Sequence, residues 1–191
     1  YEVPESNKKE KRIKFTSNLE ADKQSLLEAF ELNFEAPLKS WDSTKISFSK
    51  DSSFTPIKDY SIKLDSNKLK LTLSYKWDTA TLYNLVLPKD FATDISNRQL
   101  LKADTIRFQT KKLEEYGQAI LTFKGLENIK NPVFQMISSD KVKNAFPLNS
   151  KKLDIQLYTP GEYEFQILQD DNKNGVWDPG DFFGKRTQPE R

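Results

Sequence analysis

Apolar and polar residues alternate along most of this chain with a period of two, which is the pattern of strands that bury one face. Phe30, Leu32 and Phe34 share one face of such a segment, and residues 82–87 form a more continuous apolar run that is typical of a central strand. About seven such segments in about 100 residues predict an antiparallel β-sandwich of the immunoglobulin type. Other segments before residue 111 alternate through Ile13 and Phe15, Ile46 and Phe48, and Ile106 and Phe108.

Turn-forming and helical segments interrupt this alternation. Residues 65–68 (DSNK) favour a turn and lie between two alternating segments, so residues 60–75 are predicted to form a β-hairpin. Residues 20–29 and 89–101 do not alternate in this way, and we expect two short helices there. The apolar positions of the hairpin are Tyr60, Ile62 and Leu64 on one strand, and Leu69, Leu71, Leu73 and Tyr75 on the other.

A charged stretch over residues 111–115 separates these strands from a second set. We place the domain boundary there, with one sandwich over residues 12–111 and a smaller one over residues 116–191. Residues 1–11 are polar and contain one Pro, and are predicted to be a linker. The whole chain is therefore predicted to be all-β, with two antiparallel sandwiches. The second set alternates through Ala119, Leu121 and Phe123, then Val133, Gln135 and Ile137, then Leu153, Ile155 and Leu157, and finally Tyr163, Phe165 and Ile167.

Composition narrows the possible functions. The chain has 30 Lys and Arg against 28 Asp and Glu, with both signs interspersed, so a basic face for nucleic acid is not expected. Cys and His are absent, which excludes a disulfide framework, the usual zinc sites and a Ser-His-Asp triad. No apolar run approaches the roughly 18 residues that a membrane-spanning helix needs, so no transmembrane segment is expected.

The stretch over residues 170–181 (DDNKNGVWDPGD) has the spacing of an EF-hand calcium loop. Calcium prefers six to eight oxygen ligands, and alternate residues of a tightly curled loop can direct several oxygens at one centre. Gly175 at position 6 permits the sharp turn. Tight turns also select Asn, Asp and Gly, so a plain turn is the alternative. The predicted calcium ligands are Asp170, Asn172, Asn174, the carbonyl of Val176, Asp178 and Asp181.

Two features of this loop predict a weak, structural site. Asp181 is one methylene shorter than the Glu that usually binds calcium through both oxygens at position 12. A strand rather than a helix precedes the loop, so the paired-helix switch of calcium sensors is not expected. The ligand set suggests a dissociation constant on the order of 10⁻⁴ to 10⁻³ M, as in extracellular modules. Bound calcium would then stabilise the second domain by mass action.

The tryptophans and the adjacent carboxylates have simpler explanations than binding or catalysis. We expect Trp41, Trp77 and Trp177 to pack against the sandwiches rather than to form an exposed platform for sugars or a partner. Glycoside hydrolysis needs two acids at a set separation, and Glu114-Glu115 and Asp170-Asp171 are sequence neighbours. Neighbours on a strand point to opposite faces, so neither pair converges on its own. We therefore predict no catalytic residues, and a protein that is not an enzyme.

Both halves of the chain resemble known bacterial surface domains. Residues 12–110 are similar to the bacterial Ig-like domain of exported cell-surface proteins, in the first strand RIKFTSN, the stretch TATLYNLVLPKDFATD and the closing strand IRFQT. The second half resembles a prealbumin-like or collagen-adhesin-B-like sandwich, in YTPGEYEFQILQDDNKNGVWDPGD and in the later Gln188-Pro189-Glu190. The order of the two resembles the Ig-like-domain lipoproteins of Gram-negative anaerobes. The resemblance implies an Ig-like sandwich followed by a prealbumin-like one.

From these features we expect a non-enzymatic structural or interaction module of an exported cell-envelope protein, with an unknown protein or glycan as partner. The first alternative is a carbohydrate-binding module of a glycan-uptake system, and the second is a hydrolase. Two exposed, nearly parallel aromatic rings would favour glycan binding, and convergent carboxylates in a pocket would favour the hydrolase. The chain begins at Tyr1 without a leader, so we expect it to be a processed or internal piece, with any export signal or lipid anchor upstream.

Overall fold

A computed structural model describes residues 12–174, and these residues are all-β. The predicted fold class, all-β with antiparallel sheets, is confirmed. The chain divides into two compact units, Tyr1–Leu113 (unit 1) and Glu114–Arg191 (unit 2). The helical segments of the described chain are two 3₁₀ turns, Ser43–Lys45 and Leu113–Glu115. Within the described residues, no helix has the length and apolar character needed to cross a membrane.

Unit 1 is built from two main sheets and a short ribbon. One sheet has the strand order β1-β3-β8-β7, the other has the order β2-β11-β9-β5-β6, and β4 pairs with β10 in the ribbon. All of these pairs are antiparallel except β2 with β11. The strands are β1 (Phe15–Ser17), β2 (Lys23–Gln24), β3 (Phe30–Phe34), β4 (Leu38–Trp41), β5 (Ser47–Lys50), β6 (Thr55–Pro56), β7 (Ser61–Leu64), β8 (Lys70–Ser74), β9 (Leu82–Leu87), β10 (Ala92–Asp94) and β11 (Asp104–Thr110).

Alternate residues of the unit 1 strands form its core, as the sequence pattern predicts. Phe30, Leu32 and Phe34 of β3 are buried, and β9 lies in the interior of its sheet, between β11 and β5. Phe30 of one sheet stacks on Phe108 of the other, with ring centroids 5.0 Å apart and planes 4° apart. Such ring pairs contribute about 0.5–1.5 kcal/mol beyond the area that they bury.

The predicted hairpin over residues 60–75 is confirmed as β7 and β8. Lys68 has a positive φ of 59°, which closes the turn. The Asp65 carboxylate accepts hydrogen bonds from the backbone N–H groups of Leu69 (2.8 Å) and Lys70 (2.9 Å), which fixes the start of β8. These bonds hold the pKa of Asp65 below its ordinary value, although burial acts in the opposite direction.

The helix predicted over residues 20–29 is wrong. Ala21 and Asp22 have φ values of 48° and 60°, and Glu20 and Lys23 exchange two backbone hydrogen bonds across them. This is a two-residue hairpin turn, and it positions β2 for its parallel pairing with β11. Long-range strand pairing thus overrides the local helical preference of the segment.

The helix predicted over residues 89–101 is also wrong. Its middle forms β10, which pairs with β4, and a tight turn follows in which Asn97 has a φ of 56°. The carboxylate of Asp94 organises this turn by accepting hydrogen bonds from the backbone N–H groups of Ser96 and Arg98, both at 2.9 Å. The side chain of Arg98 also donates to it, from Nε at 2.6 Å.

Unit 2 places a two-stranded sheet against a three-stranded one. β12 pairs with β15, and the other sheet has the order β14-β13-β16. The core between them contains Phe134, Met136 and Ile155, with Leu121 and Ile167 packed against these side chains. The strands are β12 (Gly117–Thr122), β13 (Pro132–Ser138), β14 (Lys141–Pro147), β15 (Lys152–Tyr158) and β16 (Glu164–Gln169).

The alternation predicted for β13 is out of register by one residue. The sequence pattern groups Val133, Gln135 and Ile137, but Phe134 and Met136 face the core. Both faces of the strand are largely buried, and a strand buried on both faces loses the alternation that would show its inner side. The amide of Gln135 is buried and its Oε1 accepts a hydrogen bond from Gln166 Nε2 at 2.8 Å.

We predict that Asp94→Asn destabilises unit 1 at neutral pH. Asp94 is 1% exposed. Burial raises its pKa, but the hydrogen bonds from Arg98 and Ser96 and the Arg98 charge outweigh burial, so the pKa lies below its ordinary value. A lowered native pKa gives stability that is present above the unfolded-state pKa of about 4 and is lost as the pH falls through the native value. We expect a loss of about 2 kcal/mol at pH 7.

Urea unfolding at pH 7 and at pH 3 measures this effect. The difference in the free energy of unfolding between wild type and Asp94→Asn should be smaller at pH 3 than at pH 7. Asp59→Asn, at an exposed position, is the matched control and should leave stability unchanged within about 0.5 kcal/mol. Equal stability of Asp94→Asn and wild type at pH 7 would contradict the proposed role of the carboxylate.

We also predict that Gly117→Ala destabilises unit 2. A Cβ at this position would lie 2.3 Å from Cζ of Tyr158, so the ring or the strand has to move. Overpacking of this kind costs about 1–3 kcal/mol, which urea unfolding followed by circular dichroism will measure. Gly161→Ala is the control, because its Cβ would make an ordinary 3.7 Å contact with Tyr163. If Gly117→Ala is as stable as the control, the Tyr158 ring can move aside without lowering the free energy of unfolding, and the prediction is wrong.

Candidate metal-binding loop

The predicted calcium loop begins where β16 ends. Its first half lies within the described residues and includes the ligands at positions 1, 3 and 5, which are Asp170, Asn172 and Asn174. The remaining predicted ligands lie outside the described residues, as does the third tryptophan; these residues are Val176, Asp178, Asp181 and Trp177.

The sheet of unit 2 holds Asp170 in place. The last pair of the β13–β16 ladder joins Pro132 and Gln169, so Asp170 is the next residue beyond the sheet. Its backbone N–H donates to the carbonyl of Asn131 at 3.3 Å, and the residue is 2% exposed. Position 1 of the loop therefore has a fixed, buried location at the end of a strand.

Asp170 and Asn172 share one hydrogen-bond donor. The backbone N–H of Asn174 donates to Asp170 Oδ1 at 3.1 Å and to Asn172 Oδ1 at 3.0 Å. The chain curls at Lys173, which has a φ of 65°. The oxygens of positions 1 and 3 thus converge on one side of the loop, which a cation site requires and which an Asx turn also produces.

Asp171, the next residue of the loop, makes contacts with Gln169 and Lys130. Asp171 Oδ1 accepts from Gln169 Nε2 at 3.3 Å and lies 4.0 Å from Lys130 Nζ. The contacts of Asp171 therefore include Gln169 and Lys130, and those of Asp170 include the N–H of Asn174. A cavity of about 450 Å³ adjoins the loop, and its walls include Asp170, Asn174, Asn131, Asn149 and Lys173.

The described residues contain only part of the predicted ligand set. Between residues 12 and 174, no group of three or more Asp, Glu, His or Cys side chains is placed to hold a metal ion. The calcium site therefore stays a prediction that depends on Val176, Asp178 and Asp181.

Trp41 and Trp77 pack against the core of unit 1, as the sequence analysis predicts. The ring of Trp77 lies edge-on to Tyr83 (5.2 Å) and Phe108 (5.7 Å), and its Nε1 donates to the carbonyl of Glu28 at 2.9 Å. In unit 1 the nearly parallel ring pairs, Phe30 with Phe108 and Phe48 with Tyr83, are buried. Their faces are therefore covered and serve packing.

Burial of Tyr83 raises the pKa of its hydroxyl to about 12. The hydroxyl oxygen accepts a hydrogen bond from the backbone N–H of Asp78 at 3.1 Å, and the carbonyl of Asp78 accepts one from Thr110 Oγ1 at 2.6 Å. The Tyr83 hydroxyl thus ties the loop after β8 to the end of the sandwich, and it remains protonated at neutral pH.

A small cavity lies between the two sheets of unit 2, and no pattern in the sequence indicates it. Its volume is about 220 Å³. Phe165 stands at the cavity and is 61% exposed, an unusual position for a large apolar ring. Alternation predicts which face of a strand is apolar, but not whether another strand covers that face. The cavity is lined by Ala119, Leu121, Met136, Ile155, Tyr158, Gly161, Tyr163 and Phe165.

Comparisons with known proteins bear mainly on unit 1. Residues 6–110, more than half of the chain, match a family model described as the bacterial Ig-like domain. A search of curated proteins gives no match.

Two solved structures resemble 84% of this chain, and both are of alpha-2-macroglobulin from Escherichia coli. One is a crystal structure of the native protein spanning domains MG0-NIE-MG1, with 13% identity and a TM-score of 0.43. The other is a cryo-EM reconstruction of the native conformation, with 14% identity and a TM-score of 0.39. The matches cover 61% and 12% of those two chains.

Proposed function

The chain belongs to the bacterial Ig-like domain family, and we propose that it is a non-enzymatic structural or interaction module of an exported cell-envelope protein. The family match is the observation that carries this proposal. The packing of the aromatic side chains in unit 1 supports a structural role, because the rings of Trp77, Tyr83 and Phe108 contact one another.

We predict that the protein is found in the cell envelope. Fractionation of the source cells, with an antibody against this chain, should recover it with the membranes or the periplasm. Protease added to intact cells and to cells with a permeabilised outer layer will separate surface from interior locations. Recovery in the cytosol, beside a cytosolic marker enzyme, would contradict the proposal. Saturable binding of a surface polysaccharide by the purified chain would favour the carbohydrate-binding alternative.

The second part of the proposal is that calcium closes the loop after β16 and stabilises unit 2. Asp170 and Asn172 support it, because their oxygens converge on the N–H of Asn174. Asn174, Asp178 and Asp181, with the carbonyl of Val176, would complete the ligand set.

Calcium is therefore expected to raise the melting temperature of the protein. At a free calcium concentration about ten times the dissociation constant, binding adds about 1.4 kcal/mol of stability. For a unit of this size, that energy corresponds to a rise of several degrees. Thermal melts in calcium and in chelator measure the effect. Asp170→Asn should lose most of the response, whereas Asp140→Asn, at an exposed turn of the same unit, should keep it. Identical melting temperatures in calcium and chelator would count against the site.

A further inference from the structure

The outer edge of β12 carries backbone groups that face away from its neighbour. Within the described residues β12 is hydrogen-bonded to β15 alone. Phe123 N–H bonds to the carbonyl of Lys151 at 2.8 Å, and pairs alternate along an antiparallel ladder, so Leu121 also bonds across to β15. The N–H and C=O groups of Ile120 and Thr122 therefore point to the opposite side. They form a ready template for one more strand.

From Ala119 to Thr122, beyond the register shift between Gly117 and Ala119, this edge carries neither of two common protections of an edge strand, a charged residue and Pro. Proteins commonly block exposed edges with Lys, Pro or another charged residue. The edge strand β14 carries Lys141 and Lys143, and the edge strand β6 carries Pro56. The sequence of β12 is GQAILT, with no charge and no Pro, and Ile120 is 62% exposed.

The cavity of unit 2 lies beside the same strand. Its walls include Ala119 and Leu121 from the inner face of β12, and Phe165 from β16 of the facing sheet. A sheet of two strands cannot fully cover a sheet of three, and the exposed ring of Phe165 marks the uncovered part. A strand added next to β12 would lie about 4.8 Å further out and would widen the smaller of the two sheets.

Charges differ between the two ends of the β12 edge. At the Thr122 end stand Lys124 and the register partner Lys152, while Lys151 pairs with Glu127 at 3.2 Å. A second pocket lies at the Gly117 end, and Tyr163 lines both this pocket and the cavity. The acidic residues that line this second pocket are Asp140, Glu162 and Glu164. An antiparallel strand on this edge starts at the basic end and finishes at the acidic end. A segment with an acidic start and a basic finish therefore fits.

We propose that the β12 edge binds an extended segment of another polypeptide by strand addition, with apolar side chains of that segment covering Phe165 and the cavity. The segment alternates apolar and polar residues, is acidic at its N-terminal end and basic at its C-terminal end. A second copy of this chain is the alternative occupant, and the experiment below separates the two. This inference goes beyond the proposed envelope role, and the assay below can fail while the fractionation succeeds.

The probe is a blocked peptide of alternating Thr and Val, with Glu at its start and Lys at its end. Binding is followed by fluorescence anisotropy of the labelled peptide and by amide hydrogen exchange of the full chain. We expect saturable binding and slower exchange at the amides of Ile120 and Thr122. The amide of Leu121, already bonded to β15, should change little. A peptide with Glu and Lys exchanged should bind at least threefold more weakly.

Ile120→Pro is the decisive variant, because it removes an outward N–H without breaking a bond to β15. We expect at least a tenfold loss of affinity, while Ile120→Thr, which keeps the N–H, should stay within about threefold of wild type. If Ile120→Pro does not fold, Ala119→Met tests the same edge by filling the cavity and should also weaken binding tenfold. Unchanged exchange at Ile120 and Thr122 in saturating peptide would overturn the proposal. So would a dimer, seen by sedimentation, that Ile120→Pro abolishes, because the occupant would then be a second copy.

Discussion

The stacking of Phe30 on Phe108 is the contact on which the arrangement of unit 1 depends. The two rings come from opposite sheets and lie almost parallel, so they set the spacing of the layers at that point. Tyr83 and Trp77 then close around Phe108, and Phe48 continues the cluster. A slip of one residue in either strand would turn its ring towards water, so the same contact also fixes the strand register.

Unit 2 also packs two sheets against each other, but its sheets have fewer strands than the two main sheets of unit 1. Phe134 and Met136 of β13 face Leu121 and Ile155 across the gap, but one layer has a strand fewer than the other. Among the described strands, packing therefore leaves part of an inner face of unit 2 uncovered. The exposed ring of Phe165 is the visible result.

The sequence predicts most strands because their apolar residues either alternate or form one continuous run. β3, β11 and the hairpin of β7 and β8 follow from alternation and turn chemistry, and β9 follows from the apolar run over residues 82–87. The two expected helices failed because their segments are organised by distant partners, β11 in one case and β4 in the other. Local composition does not contain that information. The register of β13 failed because the strand is buried on both sides.

For the candidate loop, spacing alone identified a fixed point of the structure. Asp170 is buried, and the Oδ1 atoms of positions 1 and 3 both accept from the N–H of Asn174, while the calcium site itself stays a prediction. The outer edge of β12, which has no partner strand among the described residues, could not be recognised in the same way. A strand's sequence describes its own two faces, whereas the number of its neighbours depends on the whole topology.

The parallel pairing of β2 with β11 has a mechanical consequence. Gln109 N–H bonds to the carbonyl of Asp22 and Lys111 N–H to that of Gln24, with an ion pair between Lys111 and Glu20 at 2.8 Å. These contacts join an early strand of unit 1 to its last one. A tensile load across the unit would pull the two strands along each other in opposite directions. All of these bonds would then bear the force together in shear, whereas an antiparallel hairpin opens one bond at a time. A domain in which an early strand pairs in parallel with the last one is suited to a tether that must resist stretching.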